Sequence, residues 1–198
     1  DFSQYSNAAI TGIIDGGFNE GNIIIARAGV DVKNIWLMTG DSSGQLSQED
    51  LIPEKYINQF ADIQIFTGAG SDTMSFAGIN IGSVTVELGA SGVTGITDFV
   101  GSTLVNSTII GENKDNEWTI DGVNSGKINA NTSTEVTFRD FKYVTGGDER
   151  DNFTFYDTGS IVGGSGNKTN GSINDFNTVD QSNLTDPQLV TFTGNTVK

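Results

Sequence analysis

Two stretches of this chain are copies of one pattern, and a chain that repeats itself in register is restricted to folds built by stacking like on like. Asn34-Ile-Trp-Leu-Met-Thr-Gly-Asp-Ser-Ser-Gly-Gln-Leu46 lies over Asn116-Glu-Trp-Thr-Ile-Asp-Gly-Val-Asn-Ser-Gly-Lys-Ile128, giving N-x-W-x-[MI]-x-G-x-x-S-G-x-[LI]. Further on, Phe60-Ala-Asp-Ile-Gln-Ile-Phe-Thr-Gly68 matches Phe138-Arg-Asp-Phe-Lys-Tyr-Val-Thr-Gly146, and Asp72-x-Met-x-Phe76 matches Asp151-x-Phe-x-Phe155. The register continues to Gly82-Ser-Val84 against Gly159-Ser-Ile161, and to Ile96-Thr-Asp-Phe99 against Ile173-Asn-Asp-Phe176. The tryptophans are 118 − 36 = 82 residues apart, so each unit should hold several smaller structural turns.

The residue types inside the units are those of strands. Short Val/Ile/Phe runs are separated by Gly, Asn, Ser and Thr, with 26 Gly and only 2 Pro in 198 residues. Val84-x-Val86-x-Leu88 alternates with period two, which buries one face and wets the other. Strands recur every eight to ten residues in the second copy, a spacing shared by sandwiches, barrels and solenoids. Internal repetition tips the choice toward an all-β, right-handed parallel β-helix built from two units of about 80 residues, with a β-sandwich as the alternative. Stacked at about 4.8 Å per rung, such a chain would form a rod on the order of 40 Å long.

Along the chain, residues 1–33 read as the end of a preceding repeat, 34–99 as the first copy, 100–176 as the second, and 177–198 as a terminal strand or cap. Its opening on Asp1-Phe-Ser-Gln-Tyr5 fits a mature product or a piece of something longer. One helix is expected. Ser47-Gln-Glu-Asp50 has the S-x-x-[DE] capping pattern, and apolar residues at 52, 56, 57 and 60 follow at helical spacing, which places a short helical insert near 47–59 of the first copy.

Charge and composition narrow the function. A formal charge of −15 with 10 Lys+Arg leaves no basic footprint for nucleic acid and opposes binding to an anionic membrane. No apolar run is long enough to insert in a bilayer. With no Cys there is no disulfide framework, and with no His there is no Ser-His-Asp or Cys-His chemistry and no His-ligated zinc.

The run Trp118-Thr-Ile-Asp-Gly-Val-Asn-Ser-Gly-Lys-Ile128, then Val136-Thr-Phe138, Val144-Thr-Gly-Gly147, Asp151-Asn-Phe-Thr-Phe155 and Gly159-Ser-Ile-Val-Gly-Gly164 resembles the repeats of large secreted bacterial surface proteins of the filamentous-haemagglutinin-like, adhesin type. The likeness spans residues 12–176 and is weaker in the first copy, where Thr67-Gly68 stands for the Gly-Gly pair. It implies a parallel β-helix, an extracellular or cell-surface location, and a role as stalk or adhesive filament. It supplies no catalytic residue.

Two turns approach the calcium nonapeptide G-G-x-G-x-D-x-U-x: Thr67-Gly-Ala-Gly-Ser-Asp72 and Gly146-Gly-Asp-Glu-Arg-Asp151. They make Asp72, Asp148 and Asp151 candidate ligands for calcium, the one cofactor the sequence suggests, although Ca²⁺ takes six to eight oxygens and one nonapeptide does not supply them. The same residues also suit backbone turns and turn capping. The cluster Asp148, Glu149, Asp151 beside Arg150 is the only dense acidic group and would be the starting point for a polysaccharide lyase or hydrolase. Trp36 and Trp118 recur in register, which fits stacked core layers better than sugar platforms.

Taken together, these features describe a non-enzymatic, extracellular structural or adhesive segment serving cell attachment, biofilm or head-to-tail fibre formation. Its partners would be neighbouring repeats, identical subunits, surface glycans or matrix. The alternatives are a calcium-binding RTX-like module and a β-helix enzyme acting on polysaccharide.

Overall fold

The computed structural model describes residues 10–17, 21–26, 32–40, 42–48, 55–61, 65–90, 92–146, 149, 151–156 and 178–183. Within them the chain forms strands and no helix. In order these are β1 (Ile10–Asp15), β2 (Ile23–Ile25), β3 (Asn34–Gly40), β4 (Ser43–Gln48), β5 (Lys55–Ala61), β6 (Ile65–Ser75), β7 (Ser83–Glu87) and β8 (Val93–Val100). The second half gives β9 (Asn106–Ile110), β10 (Asn116–Gly122), β11 (Ser125–Ile128), β12 (Val136–Arg139), β13 (Tyr143–Thr145), β14 (Asp151–Tyr156) and β15 (Thr178–Asn183).

A twelve-stranded sheet runs β1-β5-β4-β3-β6-β8-β12-β11-β10-β14-β15, with β2 added against β6, and a three-stranded sheet runs β13-β9-β7. Nine of the strand pairings are parallel. The four antiparallel ones fall in two meanders, β3-β4-β5 and β10-β11-β12. The architecture is therefore all-β and mostly parallel, and each repeat folds its signature motif into one antiparallel excursion.

The two hairpins share a register, which is why the motif recurs. Trp36 pairs with Leu46, Met38 with Gly44 and Gly40 with Ser43. In the second copy Trp118 pairs with Ile128, Ile120 with Gly126 and Gly122 with Ser125. The second glycine of the motif is required by a close approach. A Cβ on Gly44 would collide with the Leu37 carbonyl and stand 2.7 Å from the Phe60 ring; on Gly126 it would collide with the Thr119 carbonyl and stand 3.1 Å from the Phe138 ring.

The expected helix near 47–59 is replaced by strands. Ser47 closes into β4, residues 55–59 lie in β5, and 49–54 fall outside the described residues. The reason is pairing on both edges: β5 takes β4 antiparallel, with Gly44 opposite Phe60, and β1 parallel, with Ile14 opposite Phe60. A helix cap and an i, i+4 pattern are worth about 1 kcal/mol, whereas leaving this segment would strip two ladders. The β4·β5 register carries two shifts, while β11·β12 runs without one.

Burial follows the repeat. Trp36 and Trp118 are buried, so both belong to the core and neither is an exposed sugar platform. Trp36 meets Phe60 and Phe66 edge-on at 6.4 and 5.5 Å; Trp118 meets Phe138 edge-on at 5.8 Å and stacks on Phe153 at 5.1 Å. Phe99, Phe141, Leu46, Met74, Ile109 and Ile120 complete a continuous apolar interior.

Strand pairing also shows which elements are equivalent. β1 and β2 lie against β5 and β6 as β8 and β9 lie against β12 and β13. β15 lies against β14 as β8 lies against β6: Phe153 faces Val179 where Met74 faces Phe99. The structural counterpart of Phe99 is thus Val179, not the Phe176 suggested by alignment.

Candidate functional site

Each copy carries a buried carboxylate where a calcium ligand was expected. Asp72 and Asp151 are both fully inaccessible. A carboxylate taken out of water must be held by donors, since the unpaired form costs several kcal/mol. Asp72 meets this through the residues the motif fixes. Its Oδ1 accepts the Asn34 backbone N–H at 2.9 Å and the Asn34 amide Nδ2 at 2.9 Å. Its Oδ2 accepts Asn34 Nδ2 at 3.0 Å, Trp36 Nε1 at 3.3 Å and the Ala69 N–H at 3.1 Å. Asp151 Oδ1 accepts Asn116 Nδ2 at 2.8 Å and Trp118 Nε1 at 3.0 Å. Asn116 in turn donates to the Glu112 and Lys114 carbonyls at 2.9 and 2.7 Å.

The N-x-W of one strand and the Asp some 35 residues later thus form one cluster, Asn–Trp–Asp, built twice. The Thr-Gly before each Asp belongs to it too. A Cβ on Gly68 would stand 2.7 Å from Asp72 Oδ2, and one on Gly146 would collide with the Asp151 carboxylate. In both turns the glycine leaves room for the carboxylate to reach the indole N–H.

The structure does not bring Asp72 and Asp151 together. Asp72 lies in β6 and Asp151 in β14, five ladder steps apart, on the order of 24 Å at about 4.8 Å per step. Asp148 and Arg150 lie outside the described residues, while Glu149 is exposed. Among the described residues no three acidic side chains converge on one point.

The outward face carries a second arrangement that sequence reading missed. The registers join Ser47, Ile35, Thr73, Asp98, Thr137, Lys127, Thr119, Thr154 and Asp180 into one lateral rank across nine strands. Eight steps of about 4.8 Å give it a run of roughly 38 Å. Asp98 is its strongest node. It accepts Thr73 Oγ1 at 3.0 Å from β6, Thr137 Oγ1 at 2.7 Å from β12, and Arg139 Nη1 at 3.0 Å on both oxygens. Lys127 donates to Glu135 at 2.9 Å. The Asn131 backbone N–H, then Lys127, hold the Glu135 carboxyl below its ordinary pKa. A parallel rank one step away joins Glu117, Asn152 and Thr178, with Asn152 Nδ2 donating to Glu117 at 2.8 Å. The available signal was Ile96-Thr-Asp-Phe99, whose alternation sets Asp98 on the face opposite Phe99, but nothing local says which strands flank it.

No family model, curated protein or solved structure matches the chain. The likeness to adhesin-type repeats therefore stands on the quoted residues.

Proposed function

We propose that the chain is a non-enzymatic, extracellular structural and adhesive segment, a parallel β-solenoid that holds a long polar face toward a surface. The observation that carries this reading is the duplicated Asn–Trp–Asp cluster. In both copies the residues that define the repeat are used up in locking a hairpin onto a parallel strand, so repetition supports extension of the array. What remains outside is the rank from Ser47 to Thr154, with hydroxyls, the Asp98 carboxylate and the Lys127 ammonium at strand spacing.

A net charge of −15 disfavours polyanions as ligands, and a row of Thr, Asp and Asn suits a neutral, polyhydroxylated glycan. The test is retention under flow of beads coated with the protein on neutral glycans, acidic glycans and matrix protein. Retention on neutral glycan, reduced by Thr73→Ala with Thr137→Ala and unchanged by EDTA, is the expected result. Absence of retention on every surface, together with depolymerisation of an acidic polysaccharide, would replace this reading with an enzymatic one. Retention only with calcium would favour the calcium-binding module instead.

A further inference from the structure

The two copies agree on their inward faces and differ on their outward ones. Along β14, Asp151 and Phe153 are buried, and Asn152, Thr154 and Tyr156 alternate to the opposite face. Along β10, Asn116, Trp118 and Ile120 are buried, and Glu117, Thr119 and Asp121 face out. The parallel register joins Glu117 to Asn152 and Thr119 to Thr154, and its next outward step sets Asp121 beside Tyr156. In the first copy the same register joins Ile35 to Thr73 and Leu37 to Ser75, and Ala77 stands where the second copy has Tyr156. The buried Asn, Trp and Asp are kept in both copies, whereas the outward block changes from small or aliphatic side chains to polar and aromatic ones. The fold does not require that change, because the first copy closes the same cluster without it.

Among the described residues, the large apolar side chains that stand exposed are aliphatic except for Tyr156, which is 44% exposed. Side chains rise roughly perpendicular to a sheet. The tall ring of Tyr156 and the Glu117–Asn152 pair, joined at 2.8 Å, therefore bound a floor of short hydroxyls, Thr119 and Thr154. Asn152 and Tyr156 are four residues apart, about 13 Å at 3.3 Å per residue. Lys127, opposite Thr119, borders the floor on the β11 side. A ligand for this trough needs one apolar face for the ring and a rim of hydroxyls for the carboxylates, amide and threonines, which is the make-up of a pyranose. An extended peptide has no backbone to join here, since β10 lies between β11 and β14, and β14 between β10 and β15. A polyanion is opposed by Glu117 and Asp121 as well as by the formal charge of −15.

Building on the glycan reading above, we propose that Tyr156 is the stacking platform of a saccharide subsite in the second copy, holding one neutral pyranose unit over Thr119 and Thr154. The ring takes the C–H face of the sugar, and an aromatic with a polar tip suits a contact that is apolar on one side and wet on the other. Glu117 and Asp121 accept sugar hydroxyls at the two ends of the trough, and the threonine hydroxyls either donate or accept between them. The first copy, with Ile35, Leu37 and Ala77 in these places, carries no such subsite.

The test is calorimetric titration of the full chain with soluble neutral oligosaccharides of glucose, of galactose and of N-acetylglucosamine. For a probe that binds, Tyr156→Ala should weaken affinity about tenfold while Tyr156→Phe, which keeps the ring, stays within about twofold. Both variants should keep the β spectrum and melting temperature of the unmodified chain. Thr154→Ala, which leaves the ring in place, should also lower affinity. Equal losses for Tyr156→Ala and Tyr156→Phe would mean that the phenol hydroxyl, not the ring face, is used, and would overturn the stacking role. Full affinity in Tyr156→Ala, with a loss in the Thr73→Ala, Thr137→Ala double variant, would place the sugar elsewhere on the face; the platform would fall and the glycan reading would stand. Binding of none of the probes would remove both. Retention on a polylysine surface alone, lost on adding salt, would make the trough a site for cations and overturn the saccharide assignment.

Discussion

The residues that recur in this chain are explained by what they do for one another. Asn34, Trp36, Gly68 and Asp72 form one buried polar unit, and Asn116, Trp118, Gly146 and Asp151 form the second. Replacing Asp151 by Ala takes away the acceptor of the Trp118 Nε1–H, whereas the Asn116 amide keeps the Glu112 and Lys114 carbonyls; an unmet buried donor costs about 1–3 kcal/mol, so a loss of about 2 kcal/mol is expected. Asp151→Asn keeps the shape and one acceptor, and should cost about half as much. Urea denaturation of the two variants measures the difference, and equal losses would show that size, not hydrogen bonding, is at stake. The components of this unit were legible in sequence, since each repeated. Their joining was not, because an Asp in a Gly-rich turn has the same local signature whether it faces an ion or an indole. Only the fold, which lays β6 beside β3 and β14 beside β10, decides.

At the level of elements, the hairpins depend on glycines that let strands and rings approach. Gly126→Ala should cost about 1–3 kcal/mol by overpacking, because the added carbon collides with the Thr119 carbonyl and the Phe138 ring can yield only by disturbing Trp118. A thermal melt compared with a control at the exposed hairpin residue Val123 checks this. The β11–β12 connection carries a pH response. Glu135 has its folded pKa lowered, first by the Asn131 N–H and then by Lys127. A depressed carboxyl contributes stability above its unfolded pKa and loses it as pH falls through the folded value. The melting temperature should therefore drop on acidification below the ordinary Glu range, and Glu135→Gln should flatten that part of the profile. Strand content was readable from alternation and turn residues. The exception, β5, shows the limit: Ile52 to Phe60 has a helical period, and only the alignment of Phe60 with Phe138 argued for a strand.

Across the whole molecule the two units meet at β8, which lies between β6 of the first and β12 of the second. Asp98 is the polar clamp there, tying Thr73 on one side to Thr137 and Arg139 on the other. Below it Phe99 lies opposite Met74 and Phe138, so the interior is continuous across the same junction. Where two units meet along one strand, the cooperativity of unfolding depends on the interactions across that junction. A single calorimetric transition is expected for the unmodified chain, because Phe99 and Asp98 couple the halves on both faces of one strand. Asp98→Ala removes the outer clamp while leaving the apolar junction in place. It should broaden the transition and lower the calorimetric cooperativity, with Asp151→Ala then melting the second unit ahead of the first. A variant that shifts to lower temperature as one sharp transition would show that Phe99 packing alone couples the units.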